Sequence, residues 1–139
     1  MRRRWDVEVL QPVVEWLTAL AAEDLKAYEV VVAAINMLEE EGPALGRPMA
    51  DRIEGSKYQN MKELRPKTIR ILFIFDPNRQ AILLAAGDKQ DRWTHWYETN
   101  IPLAEERYEQ WLATTVAKPA SNKKQKQDRN RRSTRRADK

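Results

Sequence analysis

Thr68-Ile69-Arg70-Ile71-Leu72-Phe73-Ile74-Phe75 is the stretch on which the fold turns. Ile69, Ile71, Phe73 and Phe75 alternate with Arg70, Leu72 and Ile74, so both faces are apolar beyond Arg70. A strand with one wet face alternates apolar with polar, whereas a strand covered on both faces does not. The stretch therefore predicts a central strand. Asp76-Pro77-Asn78-Arg79 follows as a turn, with Pro77 fixing φ and Asn78 tolerating the left-handed region. Residues 81–86 return as the next antiparallel strand, and Gly87-Asp88-Lys89 leaves the sheet. Upstream, residues 59–65 read as a weaker strand ended by Pro66.

Further towards the N-terminus the period changes. Leu25, Tyr28, Val31, Val32, Ile35 and Leu38 recur every three or four residues and predict a helix over 23–41, stopped by Gly42-Pro43. Val13, Val14, Trp16, Leu17 and Leu20 give a shorter apolar face behind Pro12, which suits a first helical turn. Residues 5–10 alternate as a first strand, expected to pair inside the sheet. Residues 42–59 hold three of the four glycines and predict an irregular connection. Asn100 is the expected N-cap of a final helix, with Pro102 in its first turn. The order strand, helix, helix, three strands, helix predicts an α+β domain: a small antiparallel sheet packed against two N-terminal helices and a C-terminal one. That domain is expected to span residues 1–117.

The charge is unevenly spread. The 139 residues carry 25 Lys and Arg against 21 Asp and Glu, a net charge of +4. Residues 118–139 hold ten of the bases and only two acids. They contain no aromatic or branched aliphatic residue, so they predict a basic tail, disordered in isolation, that either contacts nucleic acid or merely aids solubility. Residues 5–41 hold nine acids and one base, and residues 42–92 ten bases and six acids. A one-sided anion-binding surface would produce that division, as would ordinary solvated charge. The absence of cysteine excludes disulfides, a thiol nucleophile and cysteine zinc sites. Asp6, Glu8 and Glu15 break the run that a signal peptide would need after Arg2-Arg3-Arg4, and no stretch is long and apolar enough for a spanning helix. The expected location is the cytoplasm, with no membrane contact.

Several words in this order resemble the RelE/ParE toxin superfamily. They are Glu63-Leu64-Arg65, Ile69-Arg70-Ile71-Leu72-Phe73, the strand Ile82-Leu83-Leu84, and Gly87-Asp88-Lys89. Trp93-Thr94-His95-Trp96-Tyr97 and Asn100-Ile101-Pro102-Leu103-Ala104 resemble its phage-derived, HigB-like branch. The resemblance implies a RelE-like fold and a type II toxin. It implies an antitoxin partner with a helix-turn-helix domain, and an activity that cuts mRNA in the ribosomal A site. It departs in one place: RelE-type enzymes carry two lysines where this chain has Met61 and Glu63, with Lys62 on the opposite face. The general base is therefore unassigned.

Cutting RNA without a metal requires a group that takes the 2′-hydroxyl proton, cations for the phosphorane charge and an acid for the leaving 5′-oxygen. A single histidine rules out a two-histidine ribonuclease, and no carboxylates fall in a metal-ligand motif. Arginine, lysine and tyrosine remain. Arg70 opens an apolar strand where a guanidinium can hold two phosphate oxygens; the alternative is a surface arginine at a strand end. Lys89 follows the Gly87 turn and matches the basic position of the family. Arg65 either meets phosphate or pairs with Glu63 or Asp88. Tyr97 either handles a proton, stacks on a base or packs under the last helix. Lys57 and Arg92 are candidate RNA-backbone contacts or solvated surface. His95 is expected as a partly buried packing residue, and Trp93 and Trp96 as a core stripe. No metal or cofactor is implied. Two other readings share the fold: a ParE-like toxin that binds gyrase, and an inactive nucleic-acid-binding adaptor.

Overall fold

The structure is a computed structural model and describes residues 5–88 and 93–117. The expectations for Lys89, Arg92 and the basic tail lie outside the described residues. Chain packing divides at Tyr108, and the first unit holds the whole sheet. The strands are β1 (Asp6–Val9), β2 (Ala50–Arg52), β3 (Met61–Leu64), β4 (Ile69–Asp76) and β5 (Gln80–Asp88). The helices are α1 (Gln11–Glu23), α2 (Leu25–Glu41) and α3 (Trp93–Ala117). In the second unit α3 continues as helix from Glu109 to Ala117.

The α+β architecture is as the sequence predicts, and β4 is central in the strand order β1-β5-β4-β3-β2. Ile69, Ile71 and Phe73 enter a core with Val13 of α1 and with Val31 and Leu38 of α2. Leu72 and Ile74 are fully buried on the opposite face. There α3 reaches the sheet: the Arg107 guanidinium donates to the Leu84 carbonyl at 2.8 Å. That carbonyl is available because Leu84 is the extra residue of a bulge. Leu72 pairs with Ala85 and Phe73 with Leu83, so Leu84 has no opposite number.

The helical hairpin turns on one residue. Asp24 caps α2 by accepting from the Ala27 amide at 3.1 Å. Gly42 ends α2 at a φ of 57° under the Trp5 indole, where a β-carbon would stand 2.3 Å from the ring nitrogen.

Four expectations are corrected. The first strand pairs with β5 in parallel and lies at the sheet edge, not inside it, so the sheet is mixed. The connection expected over 42–59 contains a strand, β2, and a single 3-10 turn at Gly42–Ala44. In the β4–β5 turn the left-handed residue is Arg79, with φ of 64°, while the Asn78 amide donates to the Asp76 carboxylate. Helix α3 starts at Trp93, so Asn100 is no N-cap; its side-chain amide donates to the Trp96 carbonyl one turn back. Pro102 accordingly lies inside the helix, without the N–H that would bond the Glu98 carbonyl. Among the described residues, no helix is long and apolar enough to cross a membrane.

Candidate functional site

The site forms where β4 begins and β5 ends, on the sheet face that α3 covers. Register places Arg70 opposite Gly87 and Glu63 opposite Leu72, so Glu63 and Arg70 are diagonal neighbours on one face. Lys62 belongs to the other face, where its ammonium stands 5.5 Å from the Phe75 ring centre. Gly87 is required by close approach: a β-carbon there would sit 2.3 Å from the Trp96 ring nitrogen. Trp96 and Tyr97, in the first turns of α3, thus form the roof.

Arg70 is only 5% exposed. One terminal nitrogen donates to the Lys67 carbonyl at 2.7 Å and the Ile69 carbonyl at 2.9 Å. Its Nε lies 3.7 Å from Glu63 Oε1, an ion pair too long for a hydrogen bond. That buried Nε has no hydrogen-bond partner. A buried donor left unsatisfied costs about 1–3 kcal/mol.

Glu63 stands between three of the residues singled out from sequence. Its Oε1 accepts from the Tyr97 hydroxyl at 2.6 Å, and its Oε2 lies 3.9 Å from Arg65 Nε. Burial, then the Glu63 carboxylate, push the Tyr97 phenol up to about 12; Arg70 opposes the shift. Tyr97 therefore carries its proton throughout the neutral range. Arg65 has its closer partner in Asp51, at 3.1 Å, and Asp51 also accepts from Arg47 Nε at 3.0 Å. The Arg52 amide first, and then the two arginines, hold the Asp51 carboxyl below its usual value, against a smaller opposing effect of burial.

Three of the sequence candidates, Arg65, Arg70 and Tyr97, therefore come together through Glu63. Lys57 does not join them. It lies in the β2–β3 loop, where its amide and the Ser56 hydroxyl both donate to Glu105 of α3, at 2.7 and 2.8 Å. His95 is exposed, which corrects the expected packing role. Glu63 and Asp51 were not among the candidates. The signal for Glu63 was the two-residue period of β3, which puts Met61 and Glu63 on the face of Arg70. Asp51 had no signal, because a three-residue strand carries no period.

Residues 15–109 match the family described as "Phage derived protein Gp49-like (DUF891)". The chain belongs to this Gp49-like family. It is 52% identical to "Putative toxin HigB3" of Mycobacterium tuberculosis over 109 residues, covering 76% of this chain and 93% of that protein. It is 48% identical to "Putative toxin HigB2" of the same organism over 128 residues, 88% of this chain but 62% of that protein's length. These relatives put this Gp49-like chain in the HigB-like branch anticipated from its motifs. Among solved structures it is similar to a chain of the archaeal RelE-RelB complex from Pyrococcus horikoshii OT3. The TM-score is 0.51 and the identity 16%, over 63% of this chain and 97% of that one. At that identity the likeness concerns the fold, which is RelE-like.

Proposed function

We propose that this chain is the toxin of a type II toxin–antitoxin pair and that it cuts mRNA on the ribosome in the cytoplasm without a metal. Its antitoxin would carry a helix-turn-helix domain. The observation that carries the reading is the Arg70 guanidinium at the end of an apolar strand, gathered with Arg65 and Tyr97 around Glu63. Phosphate oxygens are the partners that paired guanidinium groups suit. The relatives' names and the family's site pattern support the same assignment.

In the proposed reaction the 2′-oxygen attacks phosphorus, the bond to the 5′-oxygen breaks and that oxygen takes a proton from water, and the products are a 2′,3′-cyclic phosphate and a 5′-hydroxyl. Arg70 and Lys89 stabilise the phosphorane, Arg65 assists from the sheet edge, and Tyr97 stands beside them as a protonated phenol. Lys57 and Arg92 contact the RNA backbone. Three arginines, 47, 65 and 70, face two carboxylates, 51 and 63, so this cluster keeps a small positive charge. Lys89 and Arg92 would add to the positive charge that draws the phosphodiester. The 2′-hydroxyl proton goes to a group outside the cluster: Tyr97 keeps its own proton, and Glu63 Oε1 already accepts the Tyr97 hydrogen bond. The domain that does this spans residues 1–117, and the tail of residues 118–139 adds non-specific affinity for nucleic acid.

The test is primer extension on mRNA after induced expression, comparing wild type with Arg70→Ala and Lys89→Ala. Cuts in phase with codons, lost in both variants while circular dichroism is unchanged, are expected; equal cutting by both variants would refute the assignment. One observation favours a second reading. Arg70 is so enclosed that a structural role suits it, as a ParE-like gyrase-binding toxin would allow. Induced expression separates the two: an RNA cutter stops translation first, and a gyrase poison damages DNA first.

A further inference from the structure

We infer that Glu63 is the positioning residue of the site, a single carboxylate that holds Arg70 at its strand end and latches Tyr97 of α3 to β3. This rests on the cleavage reading above for its effect on rate, and on geometry alone for its effect on Tyr97.

Glu63 is 7% exposed in a strand whose other inward residues are apolar, and a carboxylate is costly to bury there unless paired. Its partners account for both oxygens: the Tyr97 hydroxyl on Oε1, Arg70 Nε near the same oxygen, and Arg65 Nε near Oε2. One terminal nitrogen of Arg70 is tied to the carbonyls of Lys67 and Ile69, and the phenol of Tyr97 lies beside the guanidinium. The Glu63 charge beside Nε adds a contact on the other edge of the guanidinium plane. Tyr97 likewise donates to Glu63, with Arg70 also beside the phenol, and through these contacts the first turns of α3 are tied to the sheet.

The same geometry excludes the competing role of general base. Glu63 already faces a partner at each oxygen, with Arg70 beside Oε1 and Arg65 beside Oε2. Its Oε1 is already occupied by a phenol at 2.6 Å. Glu63 therefore acts on the reaction through Arg70 and Tyr97, by holding reacting groups in place. Misplacement by about 1 Å costs on the order of 100-fold in rate.

Tyr97 provides a readout independent of cleavage. Among the described residues, the charged groups around it are Glu63 on β3, Arg65 just after it, Arg70 on β4, Asp51 behind Arg65 on β2, and Glu54, Glu98 and Glu105 along the groove that Tyr97 lines between the β2–β3 loop and α3. Of these, Glu63 alone both accepts the phenol's hydrogen bond and repels its anion. Removing its charge should let the phenol ionise at lower pH; the three groove carboxylates are unchanged by the substitution.

The experiment compares wild type, Glu63→Gln, Glu63→Asp and Tyr97→Phe in the full chain. Tyrosinate absorbance is followed against pH, with Tyr97 assigned as the step missing from Tyr97→Phe. In Glu63→Gln that step should move down by about one unit or more, with circular dichroism unchanged. On translating ribosomes Glu63→Gln should lower kcat about tenfold to 100-fold with little change in KM, and Glu63→Asp should recover part of the loss. An unmoved Tyr97 step overturns the inference. So does cleavage by Glu63→Gln at the wild-type rate, provided Arg70→Ala is inactive. A wild type that cuts no RNA overturns the cleavage reading instead, and the titration still decides whether Glu63 latches Tyr97. If Glu63→Gln fails to fold, Glu63→Asp carries both measurements.

Discussion

Substituting Gly87 by alanine should disturb the roof of the site and leave the core intact. The added methyl would stand 2.3, 3.1 and 3.3 Å from three atoms of the Trp96 indole. Carbon and nitrogen in contact need about 3.5 Å, so the ring must retreat by roughly 1 Å. An indole cannot bend out of the way as a lysine tip can, and it moves only with the first turns of α3. Overpacking of this kind costs about 1–3 kcal/mol. For a domain of this size that corresponds to a melting temperature lower by roughly 4–10 °C. The assay is urea denaturation of a double-mutant cycle: wild type, Gly87→Ala, Trp96→Ala and both. If the clash is the cause, the methyl costs little once the indole is gone, and the coupling energy is about 1–2 kcal/mol. A Gly87→Ala protein as stable as wild type, or strictly additive effects, would refute the close approach and the placement of α3 over β5.

Other predictions follow from the same contacts. Phe73, fully buried among the helices, should cost about 3–5 kcal/mol on replacement by alanine, measured by urea unfolding. Arg107→Ala removes the donor to the bulge carbonyl of Leu84 and should cost about 1–2 kcal/mol, while Arg107→Lys recovers less than half because the lysine lacks the planar fork. Tyr97 has a folded-state pKa raised from 10.0 to about 12, so its contribution to stability is complete below pH 10 and is lost as pH rises through 12. Allowing for solvent screening of a half-exposed phenol, wild type should lose about 1 kcal/mol more than Tyr97→Phe across that interval, read from thermal melts.

How much of this could be read beforehand varies along the chain for physical reasons. Residues 69–75 identified the central strand because burial on both faces leaves a mark in every side chain. Gly42 likewise marked the end of α2 through local chemistry. The place of β1 could not be read, because its parallel pairing with β5 depends on residues more than seventy positions away. Asn100 and Pro102 carried the local marks of a helix start, yet packing of Trp96 on Gly87 extends α3 backwards past both. Arg65, Arg70 and Tyr97 were singled out as candidates from residue type, order and family resemblance, but what joins them was not. Glu63 was first noticed as a departure from a lysine pattern; only the register showed that its charge faces Arg70.

The chemistry of the RNA ends tests the central claim most directly. Wild-type protein is added to a reconstituted translation reaction on one defined mRNA, and the termini at each cut are identified. The account predicts 2′,3′-cyclic phosphates and 5′-hydroxyls at codon-phased positions, absent with Arg70→Ala. Cuts that leave 3′-hydroxyls and 5′-phosphates, or an mRNA left whole, would contradict it.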